Sequence, residues 1–173
     1  MPDQRLTPRP YHSPMPPRMV YRVCKSFEVE SGHMLSKHPG RCRLPHGHSR
    51  RIDLVISSER LDERDMVCDF KALKLAVEGE LDRYDHALAV NSADPVLGQL
   101  CETNRTRVVV FENEDPTTEA LARRIYEFVA GEIARGGSYT DEHGNTFGLT
   151  QDLTLERVRV TETSSSWAEY GIA

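Results

Sequence analysis

The sequence predicts an α+β fold in which two helices cover one face of an antiparallel sheet. Two periodicities predict it. Apolar and polar residues alternate in several short segments, as they do in half-buried strands. In two longer segments the apolar residues recur at helical spacing. These segments follow one another as strand, strand, helix, helix, strand, strand.

The first two strands are predicted from alternation alone. Apolar residues stand at odd positions from Tyr21 to Val29, and residues 52, 54 and 56 are all Ile or Leu. This period of two places one set of side chains on a buried face. A loop rich in glycine and proline separates the two strands.

The two helices are predicted from caps and apolar stripes. Asp69 is a suitable N-cap for a helix with apolar residues from 70 to 81. Asp115-Pro116 should open the second helix, since proline fits the first turn. Its stripe covers residues 121 to 133, and Gly136-Gly137 should end it.

The remaining segments are shorter. Residues 108 to 111 are wholly apolar and predict a strand, whereas residues 138 to 148 are polar and predict a surface hairpin or loop. Alternation predicts a further strand over residues 153 to 161, and residues 167 to 172 are a candidate for the last one.

Length and composition indicate one domain. The chain has 173 residues, and six of its ten prolines lie in residues 1–19, which we expect to be a disordered tail before a single domain of residues 20–173. A net charge of −5 argues against nucleic-acid or anionic-membrane partners. Without an apolar span or signal peptide, we expect a cytoplasmic protein with reduced thiols.

Three histidines are predicted to converge at one end of the sheet. His46 and His48 are two residues apart at the start of the second strand, with the same parity as its buried residues. His33 ends the first strand with the parity of Val29. Three neutral imidazoles suit Zn2+ and leave a fourth position open. The alternative is that they are core histidines satisfied by hydrogen bonds.

Two further groups could move protons near these histidines. Cys42 lies four residues before His46, and a nearby dication favours the thiolate, which can act as base or nucleophile. Asp85-His86 pairs a carboxylate with an imidazole, an arrangement that supports proton transfer. Taken alone, Cys42 could equally be an inert buried thiol.

Glu162 is predicted to point inward, because it shares the parity of Val158 and Val160. An inward carboxylate needs a partner. That partner could be a ligand with paired N–H donors or an arginine, and the sequence leaves both open.

Six segments, in order, resemble the family of 6-pyruvoyltetrahydropterin synthases and their bacterial relatives, the 6-carboxytetrahydropterin synthases. They are spread over nearly the whole chain after the tail. The segments are residues 27–33, 42–48, 66–74, 85–86, 116–119 and 161–163.

The resemblance implies a tunnelling fold (T-fold) that assembles through its sheets into a barrel, as a homohexamer built from two trimers. It also implies roles for individual residues. Zinc would be held by His33, His46 and His48, and Cys42 would accept a proton with help from Asp85 and His86 across a subunit interface. Glu162 would grip the pterin and take part in the proton relay, in a pocket lined by Thr117, Thr118 and Glu119.

The spacing between Cys42 and His46 favours one branch of this family. Three residues separate them, as is usual in 6-carboxytetrahydropterin synthases, whereas the pyruvoyl-forming branch has a longer insertion. The implied reaction converts 7,8-dihydroneopterin triphosphate to 6-carboxy-5,6,7,8-tetrahydropterin, acetaldehyde and triphosphate, on the path to queuosine. Arg41, Arg43, Arg50 and Arg51 are candidates for the triphosphate.

Two alternatives stay open. One is a pyruvoyl-forming enzyme or a side-chain-cleaving paralogue that feeds folate synthesis. The other is a non-catalytic pterin- or zinc-binding module of the same fold. The sequence departs from the family pattern in the stretch after His86, which is one residue longer, and at Asp65, where glycine is usual.

Overall fold

A computed structural model of the chain describes residues 18–103 and 107–173. Eight strands and three helices follow one another along these residues. They are β1 (Tyr21–His33), β2 (His46–Ser58), α1 (Phe70–Asp82), β3 (Ala87–Asn91), α2 (Leu97–Thr103), β4 (Val108–Phe111), α3 (Thr118–Ala134), β5 (Ser138–Thr140), β6 (Thr146–Gly148), β7 (Thr154–Thr163) and β8 (Ser166–Gly171).

Six of the strands form one sheet in the order β4-β3-β1-β2-β7-β8. The α+β class is confirmed, but the sheet is mixed rather than antiparallel throughout, because β3 runs parallel to both β1 and β4. Parallel neighbours need a crossover connection. The segment that contains α2 supplies the one between β3 and β4.

The core lies between the sheet and the two long helices. The apolar faces of α1 and α3 belong to the same buried cluster as the inward side chains of β2 and β7. Ile52, Leu54 and Ile56 of β2 are completely buried, as the alternation predicted. Burial of such a side chain contributes about 1.5–3 kcal/mol. This packing fixes which face of β2 carries the even-numbered side chains and which face carries the odd-numbered ones.

The first helix begins as predicted and the second does not. Asp69 caps α1 by accepting a hydrogen bond from the Lys71 amide, 2.8 Å away. Helix α3 begins at Thr118 with Thr117 as its N-cap, so the predicted start at Asp115-Pro116 is wrong. The Asp115 carboxylate instead accepts hydrogen bonds from the loop after β1 and from Asn91 at the end of β3, and it is unavailable for capping.

The end of α3 and the segments after it follow the prediction. Gly136 adopts a φ of +64° directly after the helix, a conformation that glycine tolerates best. The polar segment 138–148 is the hairpin formed by β5 and β6. The last two strands are found close to their predicted bounds.

Residues 1–17 of the proline-rich segment, and with them most of the predicted tail, lie outside the described residues. In the described part of the chain, no helix combines the length and hydropathy needed to cross a membrane.

Candidate active site

The pairing of β1 with β2 brings the three histidines together. His33 lies directly opposite His46 in the register, and His48 lies opposite Ser31, two positions along. Because side chains two apart share a face, all three rings point to the same side of the sheet. The ring centroids are 4.4 to 5.2 Å apart. The predicted convergence is therefore present.

Hydrogen bonds to backbone carbonyls orient two of the rings. Nδ1 of His33 lies 2.8 Å from the carbonyl oxygen of Pro116, and Nδ1 of His46 lies 2.8 Å from that of Leu44. A carbonyl can only accept, so each Nδ1 carries the proton. The lone pair of each Nε2 consequently faces the centre of the cluster. Such outer contacts are typical of metal-binding histidines.

Few donors reach the atoms at the centre of the cluster: the described residues provide Nη2 of Arg50, 3.4 Å from Nε2 of His33. Nε2 of His33 and Nε2 of His46 are only 3.0 Å apart, although both present lone pairs. Nε2 of His48 is buried and has no hydrogen-bond partner among the described residues. A cation between the three atoms would satisfy all of them at once. Their nearest ligating atoms lie within 4.8 Å of one another, so His33, His46 and His48 could hold a metal ion.

The surroundings of His33 and His48 favour the neutral imidazole, which is the form that binds metals. Burial lowers the pKa of His33 to about 4, against the opposing effect of its bond to Pro116. Burial also lowers the pKa of His48, and the positive charge of Arg50 adds to that effect.

Glu162 of β7 lies beside the histidines. Its Oε1 is 3.5 Å from Nε2 of His33 and 3.5 Å from Nε2 of His48. The hydroxyl of Thr118 donates a hydrogen bond to the same oxygen at 3.0 Å. The carboxylate thus faces inward, next to the atoms that could bind a metal.

Arg50, one of the four arginines predicted as candidates for the triphosphate, is buried beside the histidines. Its side chain is 2% exposed. It donates from Nη1 to Thr118 (2.9 Å) and from Nε to Ser31 (3.0 Å), and Nη2 lies 3.7 Å from Oε1 of Glu162. Arginines are rarely so buried unless they are paired. The parity that Arg50 shares with His48 and Ile52 was the signal for its inward position.

The start of α3 brings one of its three candidates into the site. Thr118 is buried and bridges Arg50 and Glu162. The hydroxyl of Thr117 accepts a hydrogen bond from the Ala120 amide as the helix cap. Glu119 is exposed in the first turn. Of the three, Thr118 is therefore the residue whose side chain hydrogen-bonds to both Arg50 and Glu162.

Cys42 lies in a short 3₁₀ turn, Arg41–Arg43, between β1 and β2. Its carbonyl accepts a hydrogen bond from the Leu35 amide at 3.0 Å, which ties this turn to the end of β1. Its thiol is partly exposed and lies outside the group of metal-ligating atoms.

Asp85 and His86 form the predicted pair, with 2.8 Å between a carboxylate oxygen and Nδ1. Asp85 also accepts a hydrogen bond from the Glu30 amide, and these two contacts lower its pKa. His86 is exposed and lines the same depression as His48 and Gly47, of about 280 Å³. No hydrogen bond given for the described residues joins the pair to the three histidines.

Comparisons with known proteins agree with this arrangement. The family model of 6-pyruvoyl tetrahydropterin synthase matches residues 22–172. A 6-carboxy-5,6,7,8-tetrahydropterin synthase from Aquifex aeolicus is 28% identical over 170 residues, which cover 88% of this chain and 98% of the relative. The branch of this relative is the one that the spacing of Cys42 and His46 favours.

Two solved structures share the fold at 18% identity each. An uncharacterized protein from Wolinella succinogenes has a TM-score of 0.66 and covers 88% of this chain and 98% of its own. The 6-pyruvoyl tetrahydropterin synthase of Plasmodium vivax has a TM-score of 0.62, with 88% and 97% covered. Both sequence and fold therefore lead to one conclusion: the chain belongs to the 6-pyruvoyl tetrahydropterin synthase family.

Proposed function

We propose that this protein is a zinc-dependent lyase that converts 7,8-dihydroneopterin triphosphate to 6-carboxy-5,6,7,8-tetrahydropterin, with release of acetaldehyde and triphosphate. The observation that carries the proposal is the convergence of three Nε2 atoms on one point beside an inward carboxylate. The name of the Aquifex relative supports this reaction over the others in the family. We place the reaction on the path to queuosine.

In this proposal His33, His46 and His48 hold Zn2+. When bound, zinc supplies a Lewis acid that polarises the oxygens of the substrate side chain and makes the neighbouring C–H acidic. His33 and His46 contribute by keeping their Nε2 atoms fixed through the bonds to Pro116 and Leu44.

Glu162 binds the pterin in this proposal and also takes part in the proton relay. A carboxylate can accept two parallel hydrogen bonds from the amino-pyrimidine edge, whose donors resemble a guanidinium. Thr118 fixes the carboxylate from one side. Thr117 and Glu119 lie next to it at the start of α3, where we expect them to line the pterin pocket.

Cys42 accepts the proton in this proposal, and the Asp85–His86 pair assists it. Asp85 holds Nδ1 of His86 at 2.8 Å, which leaves Nε2 of that ring able to exchange protons. Since His86 is exposed, we propose that the pair serves a site completed by a neighbouring subunit. The assembly would be a homohexamer, a dimer of trimers, formed through the sheet edges at β4 and β8.

The test is to incubate the zinc-loaded protein with 7,8-dihydroneopterin triphosphate and to identify the products by mass spectrometry. We expect 6-carboxy-5,6,7,8-tetrahydropterin together with acetaldehyde. A pyruvoyl pterin or a side-chain-cleaved pterin would assign the protein to another branch. Tight pterin and zinc binding without turnover would instead identify a binding module.

A further inference from the structure

Arg50 places a positive charge directly against one of the three histidines. Its Nη2 atom lies 3.3 Å from Nδ1 and 3.4 Å from Nε2 of His33. A point in the plane of the ring at two such short and nearly equal distances would clash with another ring atom. Nη2 therefore lies against the face of the imidazole, and the in-plane lone pair of Nε2 stays directed at the other two histidines.

The fold holds this charge in place without neutralising it. Nε of Arg50 donates to the hydroxyl of Ser31 in β1 at 3.0 Å, and Nη1 donates to that of Thr118 in α3 at 2.9 Å. Both acceptors are uncharged. The side chain is 2% exposed, so solvent weakens its field less than it weakens the field of a surface arginine.

Among the described residues, one carboxylate lies within 4 Å of this guanidinium. Oε1 of Glu162 is 3.7 Å from Nη2, which is beyond hydrogen-bond distance. The same oxygen is 3.5 Å from Nε2 of His33 and 3.5 Å from Nε2 of His48. Imidazoles that bind a metal are neutral. The point on which the histidines converge thus has one positive and one negative side chain beside it.

This pair of charges bears on which further ligand a metal at the histidines accepts. The carboxylate of Glu162 repels a negatively charged group that approaches the same point, whereas the guanidinium of Arg50 attracts it. In the proposed reaction, the proton that leaves the C–H beside the polarised oxygens leaves a negative charge on the substrate side chain. A site for that reaction must therefore tolerate an anion next to Glu162.

We propose that Arg50 offsets the charge of Glu162 and thereby makes the metal centre selective for anionic ligands over neutral ones. This inference rests on the proposed metal centre. Arg50 lies behind the face of His33, so it acts through its charge and not as a ligand. It is a residue that determines specificity, and its removal leaves the negative charge of Glu162 without a counter-charge.

Cobalt substitution measures this selectivity without turnover. The protein is loaded with Co2+, and its visible absorption bands are followed while azide, an anion, or imidazole, a neutral ligand, is added. The readout is the ratio of azide affinity to imidazole affinity, because a general disturbance of the site changes both affinities together. In Arg50→Met we expect this ratio to fall by about tenfold, a value between the limits for two close charges in water and near a protein surface.

Three further variants separate the charge of Arg50 from its packing. Arg50→Gln removes the charge but keeps hydrogen-bonding groups, so the ratio should fall as it does in Arg50→Met. Arg50→Lys keeps the charge and should retain a ratio close to that of the parent. Arg51→Met is the matched control, because Arg51 is the next residue of β2, points to the opposite face and pairs with Asp53 at 2.8 Å. Its ratio should equal that of the parent.

The outcomes distinguish this inference from the proposal on which it rests. A parent-like ratio in Arg50→Met or Arg50→Gln overturns the role of the charge, and either variant suffices if the other fails to fold. A ratio that falls equally in Arg50→Lys also overturns it, since packing would then be the cause. A parent chain that binds no cobalt, or whose cobalt bands persist in His46→Ala, overturns the metal centre itself.

Discussion

At the scale of single residues, the orientation of each imidazole matters as much as its presence. His33 and His46 each use Nδ1 on a backbone carbonyl, and these carbonyls belong to the loops before α3 and before β2. The loops therefore fix which nitrogen faces the cluster. A histidine at the same position with a free Nδ1 would have no such preference.

His46→Ala should abolish tight zinc binding, because two imidazoles remain of three. The loss of an outer-shell partner typically lowers metal affinity by roughly 10–100-fold, and we expect the loss of a ligand to lower zinc affinity by more than that. Zinc content after dialysis, measured by mass spectrometry, checks this. His38→Ala is the control, since the ring of the exposed His38 accepts a hydrogen bond from the Gly40 amide and lies outside the group of metal-ligating atoms. Full zinc content in His46→Ala would refute the ligand assignment.

Cys42→Ala should leave zinc bound and remove turnover. The thiol is outside the group of metal-ligating atoms, so its loss does not change the ligand set. The loss of a general base typically costs about 10²–10⁴ in rate. Zinc content and product formation are measured on the same sample. Cys24→Ala is the control, because Cys24 is exposed and lies on the face of β1 opposite to His33. Near-parent turnover in Cys42→Ala would exclude the role.

Period-two parity was sufficient to predict the three histidines and the inward direction of Glu162. The same parity applied to Arg50, but the usual exposure of arginine outweighed it. The two candidate partners for Glu162, an arginine or a ligand, were left open by the sequence. In the structure the partner is an arginine, Arg50. Sequence spacing alone could not connect this residue with a strand more than a hundred residues further along the chain.

At the scale of elements, a buried polar network joins the loop after β1, the end of β3 and the segment before α3. Asp115 accepts hydrogen bonds from Ser36 (2.6 Å), the Lys37 amide (2.7 Å) and Asn91 (2.8 Å). Its neighbour Pro116 provides the carbonyl that orients His33. The network thus connects the packing of three elements to the geometry of the site.

Asp115→Asn should destabilise the fold. One of the donors that bond to the carboxylate would then face the NH2 group of the asparagine amide, which is also a donor. The cost of an unsatisfied buried group is about 1–3 kcal/mol. Urea unfolding measures the change. Asp141→Asn is the control: Asp141 accepts from backbone amides in an exposed hairpin turn, and asparagine keeps that acceptor, so about 0.5 kcal/mol or less is expected.

The same network predicts how stability depends on pH. Burial acts to raise the pKa of Asp115, but hydrogen bonds from Ser36, Asn91 and Lys37 outweigh it and lower the pKa below 3.8. A lowered folded pKa means that the stabilisation is present above the unfolded value and is lost as pH falls through the folded one. The difference in unfolding free energy between the parent and Asp115→Asn should therefore stay constant from about pH 7 to about pH 5 and shrink as the pH falls below about 4. A difference that grew in acid would contradict this assignment.

Helices α1 and α3 could be predicted because their stripes and caps are local in sequence. Strand β3 could not, since its five residues carry no clear alternation and its neighbours are β1 and β4. Parallel pairing joins residues that are distant in the chain, and no local pattern records the partner. The predicted start of α3 was wrong because Asp115, a good cap by type, is used by the buried network.

At the scale of the whole molecule, both outer strands of the sheet have an edge that pairs with no other strand among residues 18–103 and 107–173. β4 and β8 end the order of strands, and Trp167 of β8 is 53% exposed. Free edges and exposed aromatic side chains favour association. His86 is exposed, so in such an assembly the site of a neighbouring chain could lie against it.

Mixing two inactive variants tests this arrangement. If Cys42 and His86 of one site come from different chains, hexamers reassembled from Cys42→Ala and His86→Ala subunits contain some sites with both residues intact. We expect partial recovery of turnover in the mixture and none in either variant alone. Analytical ultracentrifugation of the same samples should give the mass of six 19.6 kDa chains. Complete inactivity of mixed hexamers would place both residues in one subunit.

The position of Glu162 in the chain also has a consequence for biosynthesis. His33, His46 and His48 lie within one hairpin, so they become neighbours as soon as β1 and β2 pair. Glu162 is synthesised 114 residues after His48. Chains grow from the N-terminus at about 5–20 residues per second, so several seconds pass before the carboxylate can arrive. We expect a nascent chain to be able to bind the proposed metal through three histidines before translation has produced the carboxylate that lies beside them.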